Sequence, residues 1–167
     1  MDGKILVTGG AGYIGSHVVC ALAQAGYTPF ILDNFANSSR DVVPRISELC
    51  GMAIDVIEAD VRDPEALRRT FHDHPISGVV HCAGLKAVGE GEERPLAYWD
   101  VNVGGTIALA EVMGEAGVAR LVFSSSATVA SMRRPWASAS RAVASSPASS
   151  ASSPRRHASS MARSCLP

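Results

Sequence analysis

The chain has 167 residues, 47% of them hydrophobic and 19% charged, and a formal net charge of −1. That length suits one domain, or one half of a two-lobed enzyme, and the composition excludes a fibre or a wholly disordered polymer. No apolar run approaches the roughly 18 residues that span a membrane. The first strand-like run starts at Lys4, which leaves no room for a signal peptide, so a cytoplasmic protein away from membranes is expected. The four cysteines (Cys20, Cys50, Cys82, Cys165) are scattered without a Cys-x-x-Cys pair, so neither a disulfide framework nor a zinc site is indicated. They read as buried apolar thiols.

In chain order, Ile5–Thr8 is a short apolar strand that runs into glycines. Tyr13–Ala25 carries Ile14, Val18, Val19 and Leu22 at helical spacing, with Gly26 as a stop. Pro29–Asp33 reads as a second strand. A helix near Ser39–Cys50 follows, with Pro44 early enough for its first turn. Ala53–Glu58 is a third strand, and Asp63-Pro64 an N-cap and first-turn proline opening a short helix with Leu67 and Phe71. Gly78–Cys82 is a fourth strand. Pro95 opens a longer helix with Leu96, Trp99, Val103 and Ile107, running to Glu115, and Ala119–Ser124 is a fifth strand. Short, nearly all-apolar strands alternating with helices predict an α/β fold: a doubly wound, Rossmann-like parallel sheet, cut off after about five strands. The pair Gly104-Gly105 inside a helix costs about 1 kcal/mol per glycine against alanine, so close packing is expected to demand it.

The composition changes after Val129. Residues 1–129 hold all 16 acidic residues and 9 of the 15 Lys+Arg, a net charge of −7. Residues 130–167 hold six arginines and no Asp, Glu, Lys or Gly, a net charge of +6; Ser, Ala, Arg and Pro fill 31 of their 38 positions. Such a segment buries too little apolar surface to offset its conformational entropy, and disorder is expected. It could be a nucleic-acid-binding tail, a natural flexible extension, or an out-of-frame translation of a GC-rich gene. With no aromatic platform beyond Trp136 and no repeat, nucleic-acid binding is disfavoured. The abruptness of the change favours the third reading.

Glycine spacing gives the first chemistry. Gly9, Gly12 and Gly15 form Gly-x-x-Gly-x-x-Gly between the first strand and the first helix, where backbone without Cβ can approach a pyrophosphate at the helix N-terminus. Asp33, 18 positions after Gly15 at the end of the second strand, is placed for a carboxylate that accepts from adenosine ribose hydroxyls, and its charge favours NAD over NADP. Asp60-Val61 follows the third strand, in position to meet adenine. His81-Cys82-Ala83-Gly84 follows the fourth, where small residues let backbone lie along a cofactor. His72, His74 and His81 form no metal set and read as solvated.

The segments Thr8–His17, Leu32-Asp33-Asn34-x-x-Asn37-Ser38, His81–Glu90 and Phe123–Val129 resemble the UDP-glucose 4-epimerases of the extended short-chain dehydrogenase/reductase family, over about residues 3–129. The run Ala83-Gly84-Leu85-Lys86-Ala87-Val88-Gly89-Glu90 is the narrowest of these. The resemblance implies NAD held tightly, hydride taken from C4 of a UDP-hexose and returned to the other face, and a homodimer. It implies Gly12, Tyr13 and Ile14 on the pyrophosphate and Asp33, Asn34, Asn37 and Ser38 on the ribose. It further implies Asp60 and Val61 at adenine, and Cys82, Ala83, Gly84 and Lys86 on the nicotinamide side. Asn102 would support the site, Ser124 would lie beside it, and Ser126 would hydrogen-bond the reacting oxygen. A sugar-nucleotide dehydratase or decarboxylase of the same family, or a non-catalytic NAD-binding fragment, are the alternatives.

In the family that serine motif continues into Tyr-Gly, then a Tyr-x-x-x-Lys pair whose tyrosine is the general acid-base. Here Ala130-Ser131 follow, all three tyrosines (Tyr13, Tyr27, Tyr98) precede the motif, and the only lysines are Lys4 and Lys86. No turnover is therefore expected of this chain, and its missing elements are expected to leave apolar surface uncovered and solubility poor.

Overall fold

The computed structural model describes residues 3–124 and the strand at 129–132. Five parallel strands form the sheet: β1 (Lys4–Thr8), β2 (Thr28–Asp33), β3 (Asp55–Glu58), β4 (Ile76–His81) and β5 (Leu121–Ser124). A sixth strand, β6 (Val129–Met132), pairs antiparallel with β5, Ser124 opposite Val129. The order is β3-β2-β1-β4-β5-β6. The sheet thus carries one edge strand more than the apolar pattern predicts. Val-Ala-Ser-Met has no run of β-branched residues to announce it; pairing with a formed neighbour supplies the order. Pro29 sits before the first β2 residue paired with β3 (Phe30↔Asp55), so its missing N–H disturbs no ladder bond there.

The helices are α1 (Tyr13–Gln24), α2 (Val42–Cys50), α3 (Pro64–Asp73), α4 (Val88–Glu93), α5 (Pro95–Trp99) and α6 (Gly105–Glu115). Strand alternation sorts them into two layers. Leu6, Phe30 and Leu32 point to the face covered by α3 and α6, where they meet Leu67, Leu109, Val112 and Met113. Val7 and Ile31 point to the opposite face, against Val19 of α1 and Ile46 of α2. Asp63 caps α3 as its spacing predicts: its carboxylate accepts from the N–H groups of Glu65 (3.0 Å) and Ala66 (3.1 Å).

Two local features depart from the sequence pattern. Residues 88–93, to which the pattern assigns no element, form the helix α4; two glycines and three glutamates in six residues conceal it. The long helix expected from Pro95 runs without a gap to Glu115, but as α5, a π-helical turn at Asp100–Gly104 and α6. In that turn the Gly105 N–H reaches the Asp100 carbonyl five residues back.

The glycine pair is only half demanded by packing. A Cβ on Gly105 would stand 2.7 Å from Val61 Cγ2, whereas one on Gly104 would meet only Asp100 Oδ1 at 3.6 Å. Gly105→Ala is expected to cost about 1–3 kcal/mol by overpacking. Gly104→Ala, in helical backbone with open space, is expected to be neutral or to stabilise by up to about 1 kcal/mol. Urea unfolding of the two variants side by side checks the contrast.

Candidate functional site

β1, β2 and β3 fill one side of the sheet from β1, and β4 and β5 the other. The order therefore reverses between β1 and β4. Open α/β sheets place ligands in the crevice outside the strand ends at such a point. A cavity of about 660 Å³ lies there. Its walls come from the β1–α1 turn (Gly9, Gly12, Tyr13, Ile14, Gly15), the loop after β2 (Asp33, Asn34, Asn37, Ser38), Val61 after β3, and Cys82, Ala83, Gly84 and Lys86 after β4. An adjoining cavity of about 410 Å³ shares the wall after β4 and adds Asn102 and Ser124. Asp60 stands behind Asn34 rather than on the wall. Ser126 lies outside the described residues.

The turn after β1 is close-packed backbone. Gly9 has φ +67, and a Cβ there would lie 2.7 Å from the Ala83 nitrogen. A Cβ on Gly15 would lie 2.0 Å from the Gly9 carbonyl oxygen. Gly12 differs: its backbone is extended (φ −75, ψ 172) and a Cβ would approach only the Gly9 oxygen, at 3.2 Å. Gly12 caps α1 with no side-chain partner, and the first turn holds no acidic residue, so the N–H groups and positive dipole end of a 12-residue helix open onto the cavity.

Asp33 holds this turn in place. Its Oδ2 accepts from the Ala11 N–H (2.9 Å), and its Oδ1 accepts from the Phe35 N–H (2.9 Å) and the Ser38 hydroxyl (3.0 Å). The bond to Phe35 supports that residue at φ 55, a region few non-glycine residues adopt. Asn34 is committed similarly: its amide donates to Asp60 Oδ2 (2.9 Å) and its carbonyl oxygen accepts from the Ala36 N–H (3.0 Å).

Sequence reasoning missed Arg62, which lines the cavity and ties its floor together. Its guanidinium donates to both oxygens of Asp60 (3.0 and 2.8 Å) and to Asp100 Oδ2 (2.6 Å). These bonds hold the Asp60 carboxyl well below the usual carboxylate range and Arg62 above its own. Tyr98 was missed too. It lines both cavities and donates its hydroxyl to the Ala87 carbonyl (2.7 Å), which fixes α5 against the start of α4. Neither lies in a motif; only the fold assembles them.

His81 corrects the reading of it as solvated, being 1% exposed. Its partners fix its tautomer. The Thr106 hydroxyl spends its proton on the Asn102 carbonyl (2.6 Å), so it accepts from His81 Nε2–H (3.0 Å). His81 Nδ1 then accepts from the Thr8 hydroxyl (2.6 Å), whose oxygen accepts from the Ala83 N–H (3.4 Å). Asn102, on the π turn, clasps the Leu85 peptide: Oδ1 accepts its N–H (2.8 Å) and Nδ2 donates to its carbonyl (3.0 Å). Together these bonds fix the wall after β4. Cys82 in that wall is 7% exposed; burial pushes its thiol pKa up, while Lys86 and Ser124 oppose this. His74 is half-buried against Phe30, and His72 is exposed beside Asp73.

No group of three His, Cys, Asp or Glu among the described residues could hold a metal ion. The cavity instead offers a helix N-terminus for phosphate, a buried carboxylate one strand away for hydroxyls, and a wall of small residues for a flat ring. It fits an elongated dinucleotide.

The model of the NAD dependent epimerase/dehydratase family matches residues 5–154. The chain belongs to that family. The match crosses the compositional boundary after Val129. Among curated members, UDP-glucose 4-epimerase from Neisseria meningitidis serogroup C is 52% identical over 126 residues, which is 75% of this chain and 37% of that protein. The Homo sapiens UDP-glucose 4-epimerase is 50% identical over 135 residues, 77% of this chain and 39% of the relative. The chain thus spans under two fifths of the length of these two relatives, 37% and 39%. Among solved members, the Bifidobacterium longum enzyme in complex with NAD+ and UDP superposes with a TM-score of 0.72 at 40% identity, covering 74% of this chain and 37% of its own. The Stenotrophomonas maltophila enzyme with bound NAD and formylated UDP-arabinopyranose gives 0.73 at 39% identity, covering 85% and 46%. No helix among the described residues is long and apolar enough to cross a membrane.

Two outcomes follow from this geometry. Gly15→Ala is expected to cost about 3 kcal/mol or more, because the clash is with backbone that cannot rotate away; a lowered urea midpoint checks it. Burial holds His81 down at about 4, against an ordinary 6.5. Between those values the unfolded chain binds a proton that the folded chain refuses, so stability present above pH 6.5 is lost as pH falls to 4. The loss attributable to this group is about 3 kcal/mol. Unfolding free energies across pH 7.5 to 4, compared with His81→Gln, isolate it.

Proposed function

We propose that this chain carries the NAD-binding half of a UDP-glucose 4-epimerase, the enzyme that interconverts UDP-glucose and UDP-galactose through a 4-keto sugar. The single observation behind the reading is the cavity at the reversal of strand order, walled by the open N-terminus of α1 and the buried Asp33 carboxylate. The pyrophosphate lies on the backbone of Gly12, Tyr13 and Ile14. The adenosine ribose meets the loop of Asp33, Asn34, Asn37 and Ser38. Of the four lone-pair positions on a carboxylate, Asp33 spends three within the chain, which leaves one for a ribose hydroxyl. A 2′-phosphate there would place an anion against a buried anion, so NAD is preferred over NADP. Adenine sits by Val61, with Asp60 drawn back by Arg62. The small wall of Cys82, Ala83 and Gly84, steadied by Asn102 and the His81 bonds, faces the nicotinamide, and Lys86 reaches its ribose or phosphate.

The chemistry that bound NAD supplies is hydride acceptance from, and return to, C4 of a UDP-hexose. Ser126 is the residue placed by motif to hydrogen-bond the C4 oxygen. A general acid-base is still required, and the tyrosines of this sequence are Tyr13, Tyr27 and Tyr98. Of the two in the cavity, Tyr13 is 80% exposed and Tyr98 is bonded to Ala87, so neither is poised for C4. We therefore assign the chain cofactor binding without turnover. The apolar stripe Leu96, Trp99, Val103 and Ile107, all exposed, supports a second copy as its partner.

Titration calorimetry of the purified chain with NAD and NADP is the test. NAD is expected to bind at least ten-fold tighter than NADP. Gly12→Ala, whose added methyl would meet one atom of the chain, the Gly9 oxygen at 3.2 Å, is expected to weaken NAD ten-fold or more while lowering the melting temperature less than Gly15→Ala does. No heat with either dinucleotide from a folded sample sinks the proposal.

A further inference from the structure

Away from the cavity, the fold brings together two thiols that lie 30 positions apart in sequence. Cys20 lies in α1 and Cys50 is the last residue of α2; the helices pack on the same sheet face. The Cys50 thiol donates to Cys20 Sγ across 3.6 Å. Both sulfurs are half-buried, whereas Cys82 is buried, so a small reagent reaches this pair more readily. Among the described residues no third His, Cys, Asp or Glu completes a metal-holding group with them, so the pair is read as a dithiol.

We propose that Cys20 and Cys50 form a reversible dithiol/disulfide couple that takes a low-molecular-weight disulfide, such as oxidised glutathione, as its oxidant. One thiol loses its proton and attacks a glutathione sulfur; the glutathione S–S bond breaks and one glutathione thiolate leaves. The second thiol loses its proton and attacks the protein sulfur of the mixed disulfide, expelling the other glutathione. Both leaving thiolates take up protons. In sum, two protein thiols are oxidised to one disulfide and one glutathione disulfide is reduced to two thiols. The sulfurs must close from 3.6 Å to about 2.05 Å. Cys50 is followed directly by Gly51, at the frayable end of a nine-residue helix, so the end of α2 can supply that movement. The apolar setting and the neighbouring thiol push Cys50 up to about 11, so the couple forms slowly at neutral pH and faster as pH rises. The bridge closes a ring around Asp33 and Ser38, and so restrains the unfolded chain across that loop.

The test is incubation of the full chain with oxidised glutathione at pH 7, 8 and 9, alkylation, trypsin digestion and mass spectrometry. The expected product joins peptide 5–40 to peptide 46–62, outweighs every other cysteine pairing at least five-fold, and vanishes with dithiothreitol. Its rate is expected to rise several-fold per pH unit, and the oxidised chain to melt several degrees higher. Cys50→Ser is expected to stop at glutathione on Cys20. Linkage spread over all four cysteines, glutathione adducts alone, or no linked peptide at pH 9 overturns the proposal.

Discussion

The Asp33 carboxylate ties together two segments that would otherwise move independently. On one side it holds Ala11, in the middle of the glycine turn; on the other it holds Phe35 and Ser38. A buried anion is tolerated only with such bonds, since an unpaired charge at 7% exposure would be costly. The residue proposed to meet the ribose hydroxyls is therefore also the one that shapes the crevice. Function and stability cannot be separated at this position by truncating the side chain.

A second constraint runs through the other wall. The bonds from Ala83 through Thr8, His81 and Thr106 to Asn102 join β1, β4 and α6. Each hydroxyl has one proton and each is committed, so the sequence of donors has a single direction. This neutral arrangement fixes backbone beside a site that handles charge, and adds none of its own. Arg62 stands between Asp60 and Asp100, one cation to two carboxylates, so this edge of the cavity keeps a net negative charge.

Much of the fold was legible because strand and helix periods differ and the strands are short and apolar. The five parallel strands, α1 to α3 and the Asp63 cap lie where the pattern puts them, and the glycines, Asp33 and the small residues after β4 meet on one cavity. What escaped was set by partners distant in sequence. A histidine after an apolar strand says nothing of two threonines at positions 8 and 106. The position of Asp60 after a strand says nothing of Arg62, which folds back to hold both its oxygens. α4 was hidden by its glycines, and the π turn because hydrophobic spacing continues through it. Two cysteines 30 positions apart carry no local signal of contact.

The strand order has a kinetic consequence. β1, synthesised first, needs β4 as its second neighbour, and the Thr8–His81 contact spans 73 positions. Until residue 81 has emerged, the glycine turn has only β2 beside it and lacks the Ala83 backbone that limits its space. Long-range parallel pairing of this kind slows folding and prolongs the exposure of apolar strands. The wall after β4 is thus the later of the two to form, because it needs a strand whose His81 follows Thr8 of β1 by 73 positions.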